Sequence, residues 1–352
     1  MTATKQKSAI KLSFEDLMLR TKHPFGISYG TSSDTHNILV RLSFEGIEGL
    51  GEAAPAEYHN ENASTVSAVL KTWAETDVLG ENPFAIEAIV QRLDKSIAGN
   101  CSAKAAVEMA LHDIVGKLIK TPIYHSLGLA ELKYPMTDFT IGIDSLDVVE
   151  QKTREAVDAG YKMLKIKQGT SYDEEIIKRV RKVAKDLPLR VDANGGWTPK
   201  QAIKMSRFLQ DHGVEFIEQP IPKYAQVTDW QFVREHTAIP VFADESIMRS
   251  TDVARLAGTI DGVVVKLAKT GGILEAMKVI HTARAFNLKI MFGCMVESSV
   301  GISAACQIQA LCDYLDLDGA MLLANDPFAG AEYKDGYMVL PDRPGLGIEP
   351  RK

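Results

Sequence analysis

The sequence predicts an α/β protein in which a small α+β domain precedes a (β/α) barrel of eight parallel strands. Short β-branched runs alternate with helical stretches from about residue 136 onward. Eight such runs match the strand number of a closed barrel. Polar residues close five successive runs at intervals of 22 to 26 residues, about the length of one βα unit. An open doubly wound sheet also alternates strands and helices, but it does not need an acid or base at the end of nearly every strand.

The predicted barrel strands are short and apolar, and helical stretches of mixed charge separate them. In chain order the strands are FTIGI (139–143), KMLKIK (162–167), LRVDA (189–193), EFIEQ (215–219), PVFAD (240–244), GVVVK (262–266), LKIMFG (288–293) and YLDLD (314–318).

Residues 1–135 have a different pattern and are predicted to form the α+β domain. Three strand-like runs, KLSFEDLML, NILVRLSFEG and LGEAA, precede a region from Thr65 to Leu127 with helical periodicity. A turn is predicted at EGIEG (45–49). The barrel then occupies 136–330, and the extended tail at 331–352 is predicted to return and pair with the first domain.

Composition limits the class of protein. The net charge is −6 and no block rich in lysine or arginine occurs, so nucleic acid is not an expected partner. The sequence has no apolar run long enough to span a membrane, and its first 14 residues lack the apolar core of a signal peptide, so a cytoplasmic protein is expected. The four cysteines contain no C-x-x-C pair and are predicted to be buried free thiols. The oligomeric state stays open, a homo-oligomer included.

Three acids end consecutive predicted strands: Asp192, Glu218 and Asp244. The carboxyl ends of barrel strands open onto one face, so these side chains should converge there. Three carboxylates in one pocket repel one another unless a cation is present. Oxygen ligands without histidine or cysteine favour Mg²⁺, so the sequence predicts a magnesium site.

Lysines flank these acids along the chain. Lys165 and Lys167 end the second predicted strand, and alternate strand residues point to the same side. Lys266 ends the sixth strand. The second and sixth strands lie opposite each other in an eight-stranded barrel, so a metal between them would have a lysine on each side.

This series of residues resembles the muconate-lactonizing subgroup of the enolase superfamily. The resemblance implies that the barrel is of the enolase type and that the first domain and tail form its capping domain. It also implies that the three acids bind Mg²⁺, that Lys167 and Lys266 are acid/base catalysts, and that Lys165 assists electrostatically. Such sites remove and return a proton next to a carboxylate through a metal-stabilised enediolate. The matching motifs are K-I-K (165–167), Asp192, Glu218, Asp244-Glu245 and Lys266 followed by K-T-G-G (269–272). Glu245 is left out of the ligand set.

The last predicted strand carries a D-x-D pair, Asp316 and Asp318, whose carboxylates share a face. Dipeptide epimerases of this superfamily have this pair, and there it holds the α-ammonium group of the substrate. The resemblance therefore implies epimerisation of the second residue of a dipeptide such as L-Ala-L-Xaa. An o-succinylbenzoate synthase, an N-acylamino acid racemase, a muconate-type cycloisomerase and a non-catalytic metal-binding barrel are the alternatives.

Two further segments are candidates for substrate contact. The segment after the first strand contains Ile27 and Tyr29 and no lysine or arginine between Lys22 and Arg41, which predicts an uncharged, apolar second residue. After strand seven, Glu297 and Ser298 either line the pocket or cap a helix. Three histidines of the first domain are predicted to be ordinary surface or loop residues: His23, His36 and His59.

Overall fold

The structure, a computed structural model, describes residues 9–351. Residues 1–8 and 352 lie outside the described residues. The start of the predicted first domain and part of the stretch that was judged to lack a signal peptide therefore also lie outside them. No helix in the described part of the chain is long and apolar enough to cross a membrane.

The N-terminal part is a three-stranded antiparallel sheet covered by helices, as the sequence predicts. A tight turn at Glu45 and Gly46, both with positive φ, joins the second and third strands. The third helix packs on the third strand at Gly49 and Gly51, where a Cβ atom would collide with the helix backbone. The elements are β1 (Lys11–Ile27), β2 (Gly30–Phe44), β3 (Ile47–Ala53), α1 (Ala63–Ala74), α2 (Ile86–Ser96), α3 (Cys101–Leu118) and α4 (Ile123–Ser126).

The second part is the predicted eight-stranded parallel sheet. Its strands are bonded in chain order and buried, with helices between them. The elements are β4 (Phe139–Ile141), α5 (Leu146–Asp158), β5 (Leu164–Lys167), α6 (Asp173–Val183), β6 (Leu189–Asp192), α7 (Pro199–Asp211), β7 (Val214–Glu218), α8 (Val227–His236), β8 (Val241–Ala243), α9 (Ser250–Leu256), β9 (Gly262–Val265), α10 (Leu267–Thr270), α11 (Ile273–Ala285), β10 (Lys289–Gly293), α12 (Ser299–Cys306) and β11 (Tyr314–Asp316).

The first and last barrel strands meet at a seam that is held by few backbone contacts. An isolated parallel bridge joins Thr137 to Leu315, and the amide of Asp138 donates to the carbonyl of Leu315 at 3.2 Å. Above this seam, the amide of Thr140 donates to the carboxylate of Asp318 rather than to a strand. At the seam, the carboxylate of Asp318 therefore takes the place of the backbone carbonyl that would accept from Thr140 in a regular sheet.

The segment after the first predicted strand forms the tip of a long hairpin. β1 and β2 stay paired from Phe25–Ser32 to Ile27–Gly30, although the register shifts between Arg20 and Phe25. The hairpin tip bonds to the barrel: Ser28 Oγ donates to the carbonyl of Asn194 at 2.8 Å. The N-terminal sheet thus reaches over the carboxyl ends of the barrel strands.

The C-terminal tail contacts the N-terminal part of the chain, and an isolated parallel bridge joins Gly345 to Pro122. The amide of Leu346 donates to Asp113 of α3 at 2.9 Å, and Gly345 exchanges backbone hydrogen bonds with Thr121 and Ile123. Its strands pair with one another: β12 (Phe328–Ala329) with β15 (Glu349–Pro350), and β13 (Glu332–Lys334) with β14 (Tyr337–Val339).

Candidate active site

The strand register brings the three predicted metal ligands together. Lys167 is paired in register with Asp192, and Asp192 with Glu218, so their side chains leave neighbouring strands at the same height. Asp244 follows the end of β8 directly. One ligand atom from each of the three carboxylates lies within 4.8 Å of the others, and all three residues are buried. They form the acidic triad.

The acidic triad has the properties of a cation site. Glu218 Oε1 is buried and has no hydrogen-bond partner within residues 9–351. Burial, and then the neighbouring charge of Asp192, raises the pKa of Glu218 well above its usual range. A buried carboxyl whose ionisation is opposed by its neighbour is stabilised by a nearby positive ion. The donors are all oxygen, which suits Mg²⁺.

Lys165 lies at the centre of the buried charges. Its Nζ is 2.7 Å from Glu218 Oε2, 3.2 Å from Asp192 Oδ2 and 2.7 Å from Asp316 Oδ2. Burial alone would lower the pKa of this ammonium, but the nearby carboxylates, first Asp316, outweigh it and hold the pKa well above the ordinary lysine value. Lys165 is therefore a fixed positive charge beside the triad.

Lys167 and Lys266 approach the triad from opposite strands, β5 and just beyond β9. Lys167 Nζ is 2.6 Å from Asp192 Oδ2, and Lys266 Nζ is 2.8 Å from Asp244 Oδ2. Both lysines line the same cleft. Lys167 therefore contacts the acid at the end of β6, and Lys266 contacts the acid that follows β8.

Asp316 and Asp318 line the same cleft near its edge at β4. Thr140 holds both of them: its amide donates to Asp318 at 2.6 Å and its hydroxyl to Asp316 at 3.2 Å. Burial, and then the charge of Asp316, raises the pKa of Asp318 to about 7. Burial acts in the same direction on Asp316, but Lys165 outweighs it and lowers that pKa to about 2. Both acids were predicted to hold the ammonium group of the substrate, and Asp316 is already paired with Lys165.

Three further residues lie beside the triad, and no role was predicted for them: Lys269, Asn194 and Glu245. Lys269 of the K-T-G-G motif is buried and donates to Asp244 and, at 3.0 Å, to the carbonyl of Val264. The backbone N–H of Asn194 donates to Asp192 at 2.8 Å, and its side-chain amide donates to Glu245 at 3.1 Å. Glu245 is buried beside the triad, and burial raises its pKa to about 7. The D-A-N and K-T-G-G motifs directly after the strands were the available signal.

The hairpin tip and the β3 end close the other side of the cleft. Ile27 lines it, as do Phe25 and Tyr58. Tyr29 does not line the cleft; it stacks on Tyr58 at 4.7 Å and is 47 % exposed. Tyr29, predicted to contact substrate, lies behind Tyr58 and outside the cleft lining. The lining adds Thr35, Asn37, Ala54, Pro55, Ala56, Asn194, Cys294, Met295, Val296 and Leu322.

The capping alternative is the one observed for Ser298. It is the N-cap of α12, and its hydroxyl donates to Glu52 at 2.5 Å. Glu52 also accepts from Asn37 at 2.7 Å, so it joins the N-terminal sheet to α12. Glu297 is buried next to Glu52 and does not line the cleft. The segment after strand seven lines the cleft through Cys294, Met295 and Val296 instead.

His59 lies in the connection between β3 and α1 and is partly buried. Its ring packs on Tyr58 at 4.7 Å, and its buried Nε2 has no partner in the described part of the chain. Burial, and then the charge of Lys269, lowers its pKa to about 3, so the ring is neutral. His23 and His36 are exposed and paired with Glu155 and Asp16, respectively. All four cysteines are free thiols; Cys294 alone is only partly buried.

Comparison with known proteins gives family matches over both parts of the chain. Residues 13–128 match the N-terminal domain of mandelate racemase and muconate lactonizing enzymes, and residues 148–352 match the enolase C-terminal domain-like family.

Relatives and solved structures are similar over nearly the whole chain. An L-Ala-D/L-Glu epimerase from Bacteroides thetaiotaomicron is 41% identical over 96% of this chain and 88% of its own length. A hydrophobic dipeptide epimerase from Roseobacter litoralis is 37% identical over 96% of this chain and 98% of its own. The structure of a dipeptide epimerase from Cytophaga hutchinsonii, complexed with Mg and D-Ala-L-Val, has a TM-score of 0.93 at 28% identity, covering 99% of this chain and 97% of that chain.

Proposed function

The chain belongs to the mandelate racemase and muconate lactonizing enzyme family, with its enolase-like C-terminal domain, and we propose that it is a magnesium-dependent dipeptide epimerase. It inverts the α-carbon of the second residue of a dipeptide. The relatives named as dipeptide epimerases support this reaction class. The observation that carries it is a single cleft with a lysine on each side of the acidic triad and a carboxylate pair at one edge.

The two lysines supply the proton transfer. In the cleft, Lys167 and Lys266 come from opposite sides, so each can reach one face of a carbon held between them. One lysine, in its neutral form, takes the α-proton, and the ammonium of the other returns a proton to the opposite face. The first lysine ends protonated and the second neutral, so the reverse reaction can begin at once. One proton leaves and one arrives, and the α-carbon is inverted.

A cation bound by the acidic triad would stabilise the negative charge that develops on the substrate carboxylate as the α-proton leaves. Neighbouring side chains hold the carboxylates of the triad in position. Lys165 and Lys269 each bond to triad carboxylates and fix their positions. Asn194 holds Asp192 from the strand-end turn.

The carboxylate pair sets the direction of the substrate. The second residue carries the only free main-chain carboxylate of a dipeptide, so that end lies at the triad. The ammonium end then lies toward Asp318, which Thr140 and Asp316 flank. A charge-assisted bond to a buried carboxylate favours a free amino group over an acylated one.

The test is epimerisation of a pool of L,L-dipeptides by the full-length enzyme with Mg²⁺ in D₂O. We expect one deuterium in the second residue of each product, measured by mass, and formation of the L,D isomer, measured by chiral chromatography. N-acetylated and N-succinylated amino acids form the parallel arm. Turnover of the acylated amino acids without turnover of any dipeptide would replace this proposal by an N-acylamino acid racemase.

A further inference from the structure

A set of buried polar residues lies in the barrel interior beneath the cleft. Asp138, Arg190 and Tyr314 each stand two residues before a residue that lines the cleft or belongs to the acidic triad. Alternate residues of an extended chain point to the same side, so these three lie one layer deeper in the barrel. Asp138 is fully buried and Arg190 is 2% exposed. Neither has a part in the proposed proton transfer.

Arg190 has several partners in this deeper layer. Its Nη1 donates to Oδ2 of Asp138 at 2.8 Å and to the carbonyl of Leu315 at 3.0 Å. Its Nε donates to Glu215 at 3.0 Å, and its guanidinium lies 4.9 Å from the centre of the Tyr314 ring. The guanidinium therefore joins β6 to the barrel seam and sets the orientation of the Asp138 carboxyl.

The second oxygen of the Asp138 carboxyl, Oδ1, accepts from no donor within residues 9–351. The Asp138 carboxyl instead forms a hydrogen bond with the carboxylate of Asp316. Two carboxyls in contact cannot both be ionised, so one of them must carry the proton of this bond. Burial, and then the charge of Asp316, raises the pKa of Asp138 well above its usual range, whereas Lys165 keeps Asp316 ionised. Asp138 is therefore the donor and Asp316 the acceptor.

This donor adds to the partners that hold Asp316. A carboxylate has about four lone-pair positions for hydrogen bonds. Asp316 uses three of them within the protein, for the Lys165 ammonium at 2.7 Å, the Thr140 hydroxyl at 3.2 Å and the Asp138 carboxyl. Asp316 also lines the cleft, so its remaining capacity is available to a ligand there.

On the proposed function, on which this inference rests, that ligand is the ammonium group of the dipeptide. We propose that Asp138 is a positioning residue for this group: Arg190 orients its carboxyl, which donates to Asp316 and fixes the lone pair that Asp316 presents to the cleft. Asp138 does not line the cleft and acts on the substrate only through Asp316. The alternative is a structural Asp138 that serves as a carboxylate counter-ion for Arg190.

Substitutions at residue 138 separate these two roles. Asp138→Asn keeps an acceptor for Arg190 and a donor for Asp316, but it cannot be a counter-ion. Asp138→Ala removes both contacts and should lower stability, because it leaves the buried Arg190 with one partner fewer. The double variant Asp138→Leu with Arg190→Met removes the same donor without leaving an unpaired charge. Asp113→Ala is the matched control, because Asp113 is a buried acid that pairs with Lys117 on α3 and lines no part of the cleft.

The first measurement is kcat and KM of the full-length enzyme with Mg²⁺ for the best L,L-dipeptide of the wild type. Asp138→Ala and the double variant should raise KM about tenfold, the value of one hydrogen bond to a charged group. Their kcat should change less, because the reacting carbon lies at the triad. Asp138→Asn and the control should keep KM within about threefold of the wild type. A KM in Asp138→Asn as high as in Asp138→Ala, or an unchanged KM in the double variant, overturns the proposal.

Infrared spectra of the enzyme without substrate distinguish this inference from the proposed function. The difference between the wild-type and Asp138→Asn spectra near neutral pH should contain the C=O stretching band of a buried, protonated carboxylic acid. Absence of this band would identify Asp138 as a carboxylate and overturn the donor role, even in an enzyme that epimerises dipeptides. A wild type that turns over no dipeptide would overturn the epimerase, while the band would still support the hydrogen bond from Asp138 to Asp316.

Discussion

Nζ of Lys165 lies 2.7 Å from Oδ2 of Asp316, and this ion pair joins the acidic triad to the carboxylate pair at the cleft edge. The same ammonium lies 2.7 Å from Glu218. One buried lysine therefore serves both ends of the proposed substrate. It keeps Asp316 ionised, which leaves Asp318, with its pKa raised to about 7, as the carboxyl that responds to an ammonium group.

Removal of divalent metal should abolish epimerisation, and Mg²⁺ should restore it. Mg²⁺ at about 100 times its Kd should also raise the free energy of unfolding by about 2.7 kcal/mol, because only the folded chain brings the triad together. The measurement is thermal unfolding with EDTA and with Mg²⁺. Glu218→Gln should lose both effects, whereas Glu235→Gln, on the exposed face of α8, should keep them. A wild-type enzyme that turns over fully after chelation would rule out the metal role.

The two lysines should act on opposite stereoisomers. Lys266→Ala should lower epimerisation by about a hundredfold to ten-thousandfold, the usual contribution of a positioned acid or base. It should retain α-proton exchange in D₂O from one isomer, because Lys167 still reaches its own face. Lys167→Ala should retain exchange from the other isomer only. Lys204→Ala, at an exposed position on α7, is the control. Two mutants that exchange the same isomer would contradict a two-base mechanism.

The affinity for the ammonium end should increase as the pH rises through about 7. Below that pH the Asp318 carboxyl is protonated and cannot form an ion pair; above it, the carboxylate is available. The groups that face it are Asp316, the Lys165 ammonium and the Cys294 thiol, which lies 3.8 Å away. The affinity should continue to increase with pH until the dipeptide's own amino group loses its proton near about pH 8.

KM for a dipeptide, measured from pH 5.5 to 9, tests this titration. Asp318→Asn should weaken binding over the whole range and remove the dependence near pH 7. N-acetyl dipeptides, which carry no ammonium, should be poor substrates with a KM that does not follow this titration. Equal kcat/KM for free and acetylated dipeptides would exclude the ammonium role of the pair.

The parts of the site that could be predicted from sequence are those fixed by the strand repeat. Lys167, Asp192 and Glu218 stand in register, so reading the strand ends sufficed to bring them together. The hairpin tip could not be predicted in this way. In β2, residues 30–36 are almost entirely exposed, so the sequence lacks the apolar alternation that marks a strand.

Other features of the site depend on contacts that the local sequence does not show. His59 lies in a loop-like stretch, and its ring packs on Tyr58 with its Nε2 buried. Ser298 could either cap a helix or face the cleft, and its bond to Glu52, far away in the chain, leaves it as a cap. The ion pair of Asp316 with Lys165 joins β11 to β5 past β4 at the barrel seam, so neither local sequence shows it.

The second residue of the substrate should carry an uncharged, apolar side chain. The names of the relatives divide on this point, since one is an L-Ala-D/L-Glu epimerase and the other a hydrophobic dipeptide epimerase. In the described part of the chain, the only cationic side chains that line the cleft are Lys167 and Lys266, and both are paired with triad acids. The nearby barrel-loop cation, Lys223, donates to the backbone carbonyl of Tyr58 instead.

A glutamate side chain buried beside Phe25, Ile27 and Met295 would therefore lose its hydration without gaining an ion pair, at a cost of several kcal/mol by order of magnitude. We expect kcat/KM for L-Ala-L-Val, L-Ala-L-Leu or L-Ala-L-Phe to exceed that for L-Ala-L-Glu by about tenfold or more. Ile27→Arg should shift the ratio toward glutamate by supplying the missing cation, and Ile27→Met should not. A wild-type preference for L-Ala-L-Glu would show that a cation reaches the bound side chain by a movement of the cleft wall, and the apolar assignment would be wrong.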